Sequence, residues 1–156
     1  MPGPEELIAT PPVEVLAVDS SSFHLFRLKS VLETVRLPHK MSIVHDGAQA
    51  VAFLKKEEPY RCAPTPDLIF VELDLPVMGG MEMLRRMPNC SLLPLCIAAR
   101  SHDWREQAWE EFGIDAVRYL TKPVRAENVL TCLGQYPQFK EFVRRAETRD
   151  RIHLAR

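Results

Sequence analysis

The sequence predicts a doubly wound α/β fold: a five-stranded parallel sheet with helices on both faces and one further helix at the carboxyl end. Three observations carry that expectation. Apolar or mostly apolar segments of four or five residues recur five times along the chain, the length of strands buried in a sheet. Between them lie stretches with apolar residues at three- and four-residue steps, the stripe of a helix that covers a sheet. The links are short and marked by Pro, Gly, Asp and Ser, and strands alternating with helices through short links build a parallel sheet.

Taken in order, residues 1–12 hold four prolines and little apolar content, and read as a disordered leader. Glu14 to Val18 is the first strand. Asp19-Ser20-Ser21-Ser22 offers several N-cap candidates for a helix to about Leu37, with Leu25, Leu28, Leu32 and Val35 as its core stripe. Met41 to Val44 is the second strand, and Asp46-Gly47 caps a helix through Lys56 that packs Ala48, Val51, Ala52 and Phe53. After a proline-rich loop, Leu68 to Val71 forms the central strand. A short helix runs from Gly80 to about Met87, its Met81, Leu84 and Met87 reading as core rather than as a cofactor box. Leu95 to Ala98 is the fourth strand, residues 102–112 a helix closed by Gly113, and Val117 to Leu120 the fifth strand. A fifth helix places Ala126, Val129, Leu130 and Leu133 on one face before Gly134. The domain therefore spans residues 13–134, and residues 135–156 form an extension. There Pro137 suits a first turn, and Phe139, Phe142, Val143 and Ala146 fall on one helical face.

At 156 residues, 46% hydrophobic and 26% charged, the chain suits a single core. A formal charge of -1 supplies no basic field for nucleic acid or an anionic membrane. No apolar run reaches membrane-spanning length and no basic-then-apolar leader opens the chain, so a cytoplasmic location is expected. Cys62, Cys90, Cys96 and Cys132 have no metal-like spacing and read as buried or half-buried thiols of a reducing compartment. The five histidines are scattered without a ligand-like pair, so no metal site is expected of them.

In open α/β sheets chemistry gathers at the carboxyl ends of the strands. Asp19 follows the first strand, Glu72 ends the third and Lys122 follows the fifth. In this order and spacing the segments VLAVDSS, DGAQAVAFL, PDLIFVELDLPVMGG and YLTKP resemble the receiver domain of two-component response regulators, and the whole is most similar to phytochrome-associated single-domain regulators. The resemblance covers about Glu14 to Leu133 and implies a (βα)5 flavodoxin-like fold and a place in phosphorelay signalling, with a sensor histidine kinase as the implied partner.

The departures from the family pattern are specific. Receivers carry two adjacent acids after the first strand, which hold Mg²⁺; here the pair is Asp19-Ser20. Glu72 stands where the phosphoryl-accepting aspartate belongs, and Ala99 where a Thr or Ser hydroxyl meets the phosphoryl oxygens. Lys122 and the switch aromatic, Tyr119, are kept. Asp74 aligns with the position that gives the metal a backbone carbonyl, and is a poor substitute acceptor.

Each change opposes phosphoryl transfer. That chemistry depends on positioning and on a cation that neutralises developing oxygen charge. Ser20 removes one carboxylate from a metal that demands oxygen ligands in near-octahedral order. Glu72 carries its oxygens about 1 Å too far, a displacement that can cost about a hundredfold. Ala99 donates nothing. The longer Glu72 can instead reach Lys122 and fix the strand ends in one state. The expected function is thus a phosphorylation-independent, non-enzymatic pseudo-receiver that binds proteins, with Mg²⁺ weak or absent. A receiver phosphorylated despite its altered site is the alternative. A hydrolase built on Glu72 lacks a phosphate loop or a second base. Trp104, Trp109 and Phe112 in the fourth helix, with Phe139 and Phe142 in the extension, are the expected anchors of a homodimer.

Overall fold

The computed structural model describes residues 11–87, 94–99, 104–114 and 118–154. The expected leader falls almost entirely outside them, as do Cys90 and the start expected for the fifth strand at Val117. Five strands, β1 (Val13–Val18), β2 (His39–Val44), β3 (Leu68–Glu72), β4 (Leu95–Ala99) and β5 (Tyr119–Thr121), form one parallel sheet in the order β2-β1-β3-β4-β5. Helices α1 (Ser22–Thr34), α2 (Gly47–Lys55), α3 (Gly80–Arg86), α4 (Trp104–Phe112) and α5 (Ala126–Leu133) alternate with them.

Strand alternation divides the core into two layers. Val15, Ala17, Leu68, Phe70, Cys96, Ala98 and Leu120 face the side covered by α1 and α5. Leu16, Val18, Ile69, Val71, Leu95, Ile97 and Tyr119 face the side covered by α2, α3 and α4. All five residues of β3 are buried, as a strand covered on both faces must be. The methionines Met81, Met83 and Met87 are buried in the second layer.

Helix ends follow local chemistry. Ser21 is the N-cap of α1, its hydroxyl accepting from the His24 amide, and Asp46 caps α2 by accepting from the Gln49 amide. Helix α1 stops at Thr34, earlier than the expected Leu37. Arg36 takes a left-handed conformation and the Leu37 amide returns to the Leu32 carbonyl, which turns the chain inward before Pro38. In α2, Ala50 is buried while Ala48 and Ala52 are half-exposed.

The extension is the main correction to the sequence reading. Pro137–Phe139 form a 3-10 turn leading into α6 (Lys140–Leu154). Tyr136, Phe139, Val143 and Ala146 are buried in the same layer as α1 and α5, and Phe142 packs against it. Phe139 is 5% exposed, so the chain itself covers it and it has no surface to offer an interface. Tyr136 locks this segment down: its hydroxyl accepts from the Leu95 amide at 2.9 Å and donates to the Leu95 carbonyl at 2.6 Å.

Candidate functional site

The sheet register brings the strand ends together. Val18 pairs with Val71, Glu72 with Ala98, and Ala99 with Thr121. Asp19, Glu72 and Lys122 therefore emerge on one edge, on β1, β3 and β5. Neighbouring strands lie about 4.8 Å apart, so Lys122 starts two strands from Glu72 and three from Asp19. The Lys122 and acid side chains reach toward one another past the end of the intervening β4, which closes on two alanines, Ala98 and Ala99.

Lys122 reaches inward and its side chain is 8% exposed. Its ammonium forms an ion pair with Glu72 Oε2, lies 3.0 Å from Asp19 Oδ2, and donates to His24 Nδ1 at 2.8 Å. The other oxygen of each acid is held by backbone. Ser21 N donates to Asp19 Oδ1 at 2.8 Å, and Asp74 N donates to Glu72 Oε1 at 3.0 Å. Both carboxylates are buried, Glu72 to 3% exposure. A buried carboxylate needs a counter-charge and hydrogen bonds; here one ammonium serves both acids, and two amides complete their shells.

The loops that donate those amides are fixed by close packing. A Cβ on Gly80 would lie 2.6 Å from the Leu73 Cα, and one on Gly47 would lie 2.5 Å from the Met78 carbonyl oxygen. Only glycine admits these approaches. They press the loop after β3 back onto its strand, where Gly80 N donates to the Leu73 carbonyl. On the opposite rim, Arg27 of α1 donates to the Val124 carbonyl at 3.0 Å and ties α1 to the segment after Lys122. The Lys122–Pro123 peptide is cis.

The remaining expected site residues are more peripheral. Ser20 is exposed beside Asp19, and the Asp74 side chain is exposed while its amide serves Glu72. The Asp74 side chain points outward because the chain has already turned into the loop. Ala99 ends β4 opposite Thr121. Tyr119 is buried on the α4 side of the sheet. Trp109 is 57% exposed, Phe112 is half-buried against the second layer, and the side chain of Trp104 lies outside the described set.

His24 is the residue that sequence reasoning missed. Asp19, His24 and Glu72 each offer one ligand-type atom, and these lie within 4.8 Å of one another, so one of the scattered histidines sits beside the two acids. His24 is the third residue of a helix whose cap, Ser21, directly follows the Asp19 turn. The group does not fit Mg²⁺. That ion needs near-octahedral oxygen ligands, whereas this cluster supplies an imidazole nitrogen and already holds a covalently tethered cation between its acids.

Among the described residues no helix is long and apolar enough to cross a membrane. The response regulator receiver domain family matches residues 15–133. Response regulator Rcp1 of Synechocystis sp. is 30% identical over 117 residues, covering 73% of this chain and 79% of that protein. The chain spans only about a third of two longer relatives: 30% of a protein-glutamate methylesterase/protein-glutamine glutaminase of Halalkalibacterium halodurans and 35% of the sensory transduction protein LytT of Bacillus subtilis. In three dimensions it is similar to the bacteriophytochrome response regulator AtBRR, with a TM-score of 0.69 at 21% identity over 79% of this chain and 91% of that one, a likeness of fold. It is also similar to the Mn(2+)-bound form of Rcp1, with a TM-score of 0.63 at 26% identity over 88% and 91%. Matched by the family over residues 15–133, this chain belongs to the response regulator receiver domain family.

Proposed function

We propose that this receiver domain is a pseudo-receiver: a non-enzymatic protein-interaction module of two-component signalling whose strand-end site is held in one state without phosphorylation. The observation that carries the reading is the placement of the Lys122 ammonium between Asp19, His24 and Glu72. The position where cation charge would assist phosphoryl transfer is filled by the protein's own side chain. Glu72 is bound at both oxygens, so neither is presented for in-line attack. Ser20 and Ala99 withdraw the second carboxylate and the hydroxyl that the family's chemistry uses. These losses act on one transition state and reinforce one another.

The partners this reading implies are proteins, a sensor histidine kinase among them, and a second copy of the chain. The exposed Trp109 on α4 is the aromatic anchor available for self-association, and Phe139 is withdrawn from that role. A cytoplasmic site of action goes with this function. Exposure to a small acyl phosphate with Mg²⁺, followed by intact mass, tests the reading. The expected spectrum contains no phosphoryl adduct. An adduct on the native protein that Glu72→Ala abolishes would establish a working receiver instead.

A further inference from the structure

Cys96 and Cys132 are separated by 36 positions in sequence and meet in the core. Cys96 lies in β4 and Cys132 in α5, both 0% exposed, and their sulfurs are 2.7 Å apart. A disulfide bond is about 2.0 Å long, so a displacement of less than an ångström would join them. The pair is also well ordered by its surroundings. Cys132 Sγ donates to the Leu95 carbonyl at 3.6 Å and approaches the Arg118 carbonyl at 3.7 Å. The same Leu95 carbonyl accepts from the Tyr136 hydroxyl, and the Arg118 guanidinium lies 5.2 Å from the centroid of the Tyr136 ring.

We propose that Cys96 and Cys132 are a site of covalent modification, an intramolecular disulfide formed by a small two-electron oxidant of the peroxide class. One thiol loses its proton and the thiolate attacks the peroxide oxygen; the O–O bond breaks, a sulfenic acid forms, and the departing hydroxide takes up that proton to leave as water. The second thiol attacks that sulfur, the S–O bond breaks, and a second water leaves. In sum two thiols and one hydrogen peroxide give a disulfide and two waters; the sulfurs lose two electrons and the peroxide gains them.

Burial decides the kinetics. Desolvation pushes the Cys96 thiol well above its ordinary range, so the unreactive neutral form dominates while the core is closed. Reaction waits on local opening, and reclosure then shields the product from reductant. The cross-link has a consequence for the strand-end site, because the loop it closes, residues 96–132, carries both Ala99 and Lys122. Oxidation would tie β4 to α5 and restrict the segment that delivers the ammonium.

The experiment uses the full chain with Cys62→Ser and Cys90→Ser, which leaves this pair alone. After hydrogen peroxide and a catalase quench, the protein is unfolded in N-ethylmaleimide and its intact mass recorded without reductant. The expected product is a monomer lighter by two hydrogens with no maleimide attached, and reduction in denaturant restores two maleimide sites. Two maleimide adducts, oxygens retained on Cys96 or Cys132, or a cross-linked dimer would overturn the proposal. Thermal unfolding supplies a second readout: the oxidised form should melt about 5 °C or more above the reduced form, and an unchanged midpoint would also overturn it. Cys132→Ala in the same background should lose both signals; should that variant fail to fold, the mass result on its parent still decides.

Discussion

The Lys122 ammonium lies 3.0 Å from Asp19 Oδ2, although their strands are separated by two others in the sheet. The contact spans the whole strand-end edge and passes Glu72 on the way. It makes the site a closed electrostatic unit, in which the loss of one member strands the others away from water.

Breaking that unit on one side should be expensive. Lys122→Met leaves Glu72 buried without its counter-charge, and removal of one partner of a buried pair costs about 3–5 kcal/mol. The double change Lys122→Met with Glu72→Gln removes one of the two buried acidic charges, leaving Asp19, and should recover part of the loss. Urea unfolding of the two singles and the double forms a mutant cycle. Additive effects would show that the two residues are not coupled.

The two groups of aromatic residues should behave in opposite ways. Phe139→Ala opens a cavity beside Val143 and Tyr136 and should cost about 3–5 kcal/mol of stability while leaving the association state unchanged. Trp109→Ala, at an exposed position, should leave stability nearly unchanged and weaken the proposed homodimer, with light scattering as the readout. A wild-type chain that stays monomeric at high micromolar concentration would refute the dimer. Truncation after Gly134 should now destabilise the domain, since it removes four buried side chains of the first core layer.

Acid should weaken one clamp between helices. Arg85 of α3 holds Glu111 of α4 in a bidentate pair at 2.9 Å, and its guanidinium lowers the Glu111 carboxyl to about 2. A carboxylate held below its unfolded value stabilises fully above that unfolded value, near 4.5, and its contribution fades as pH falls toward 2. The clamp is solvent-exposed, so the effect should be small and screened by salt. Glu111→Gln should therefore lower the melting midpoint slightly at pH 6 and low salt, with the difference from wild type vanishing near pH 2. A difference that persists at pH 2 would assign the effect to packing.

Much of this architecture is legible in the chain because short buried strands and striped helices leave strong periodic signals. The cap at Ser21, the stop at Gly113 and the convergence of Asp19, Glu72 and Lys122 all follow from local rules and strand order. The reach of Glu72 toward Lys122 was likewise readable from one extra methylene. Two features were not. His24 joins the site through the pitch of the first turn of α1, a three-dimensional coincidence that scattered histidines do not announce. The extension's phenylalanines read as an uncovered stripe, because sequence shows which face is apolar but not whether the same chain supplies the surface that covers it.

In the proposed pseudo-receiver, Ser20, Glu72 and Ala99 disable phosphoryl acceptance together, with Lys122 filling the place of the cation. The most direct measurement is intact mass after acyl phosphate and Mg²⁺ on a repair series. Groups that act as a unit lose activity non-additively, so a partial repair should recover little. Glu72→Asp alone should stay almost inert, and Ser20→Asp with Glu72→Asp and Ala99→Thr should gain a phosphoryl adduct that is absent when Glu72→Ala replaces Glu72→Asp in the triple variant. Full phosphorylation of the Glu72→Asp single variant would contradict the account, because it would show that one methylene, and not the rebuilt cluster, separates this site from a working receiver.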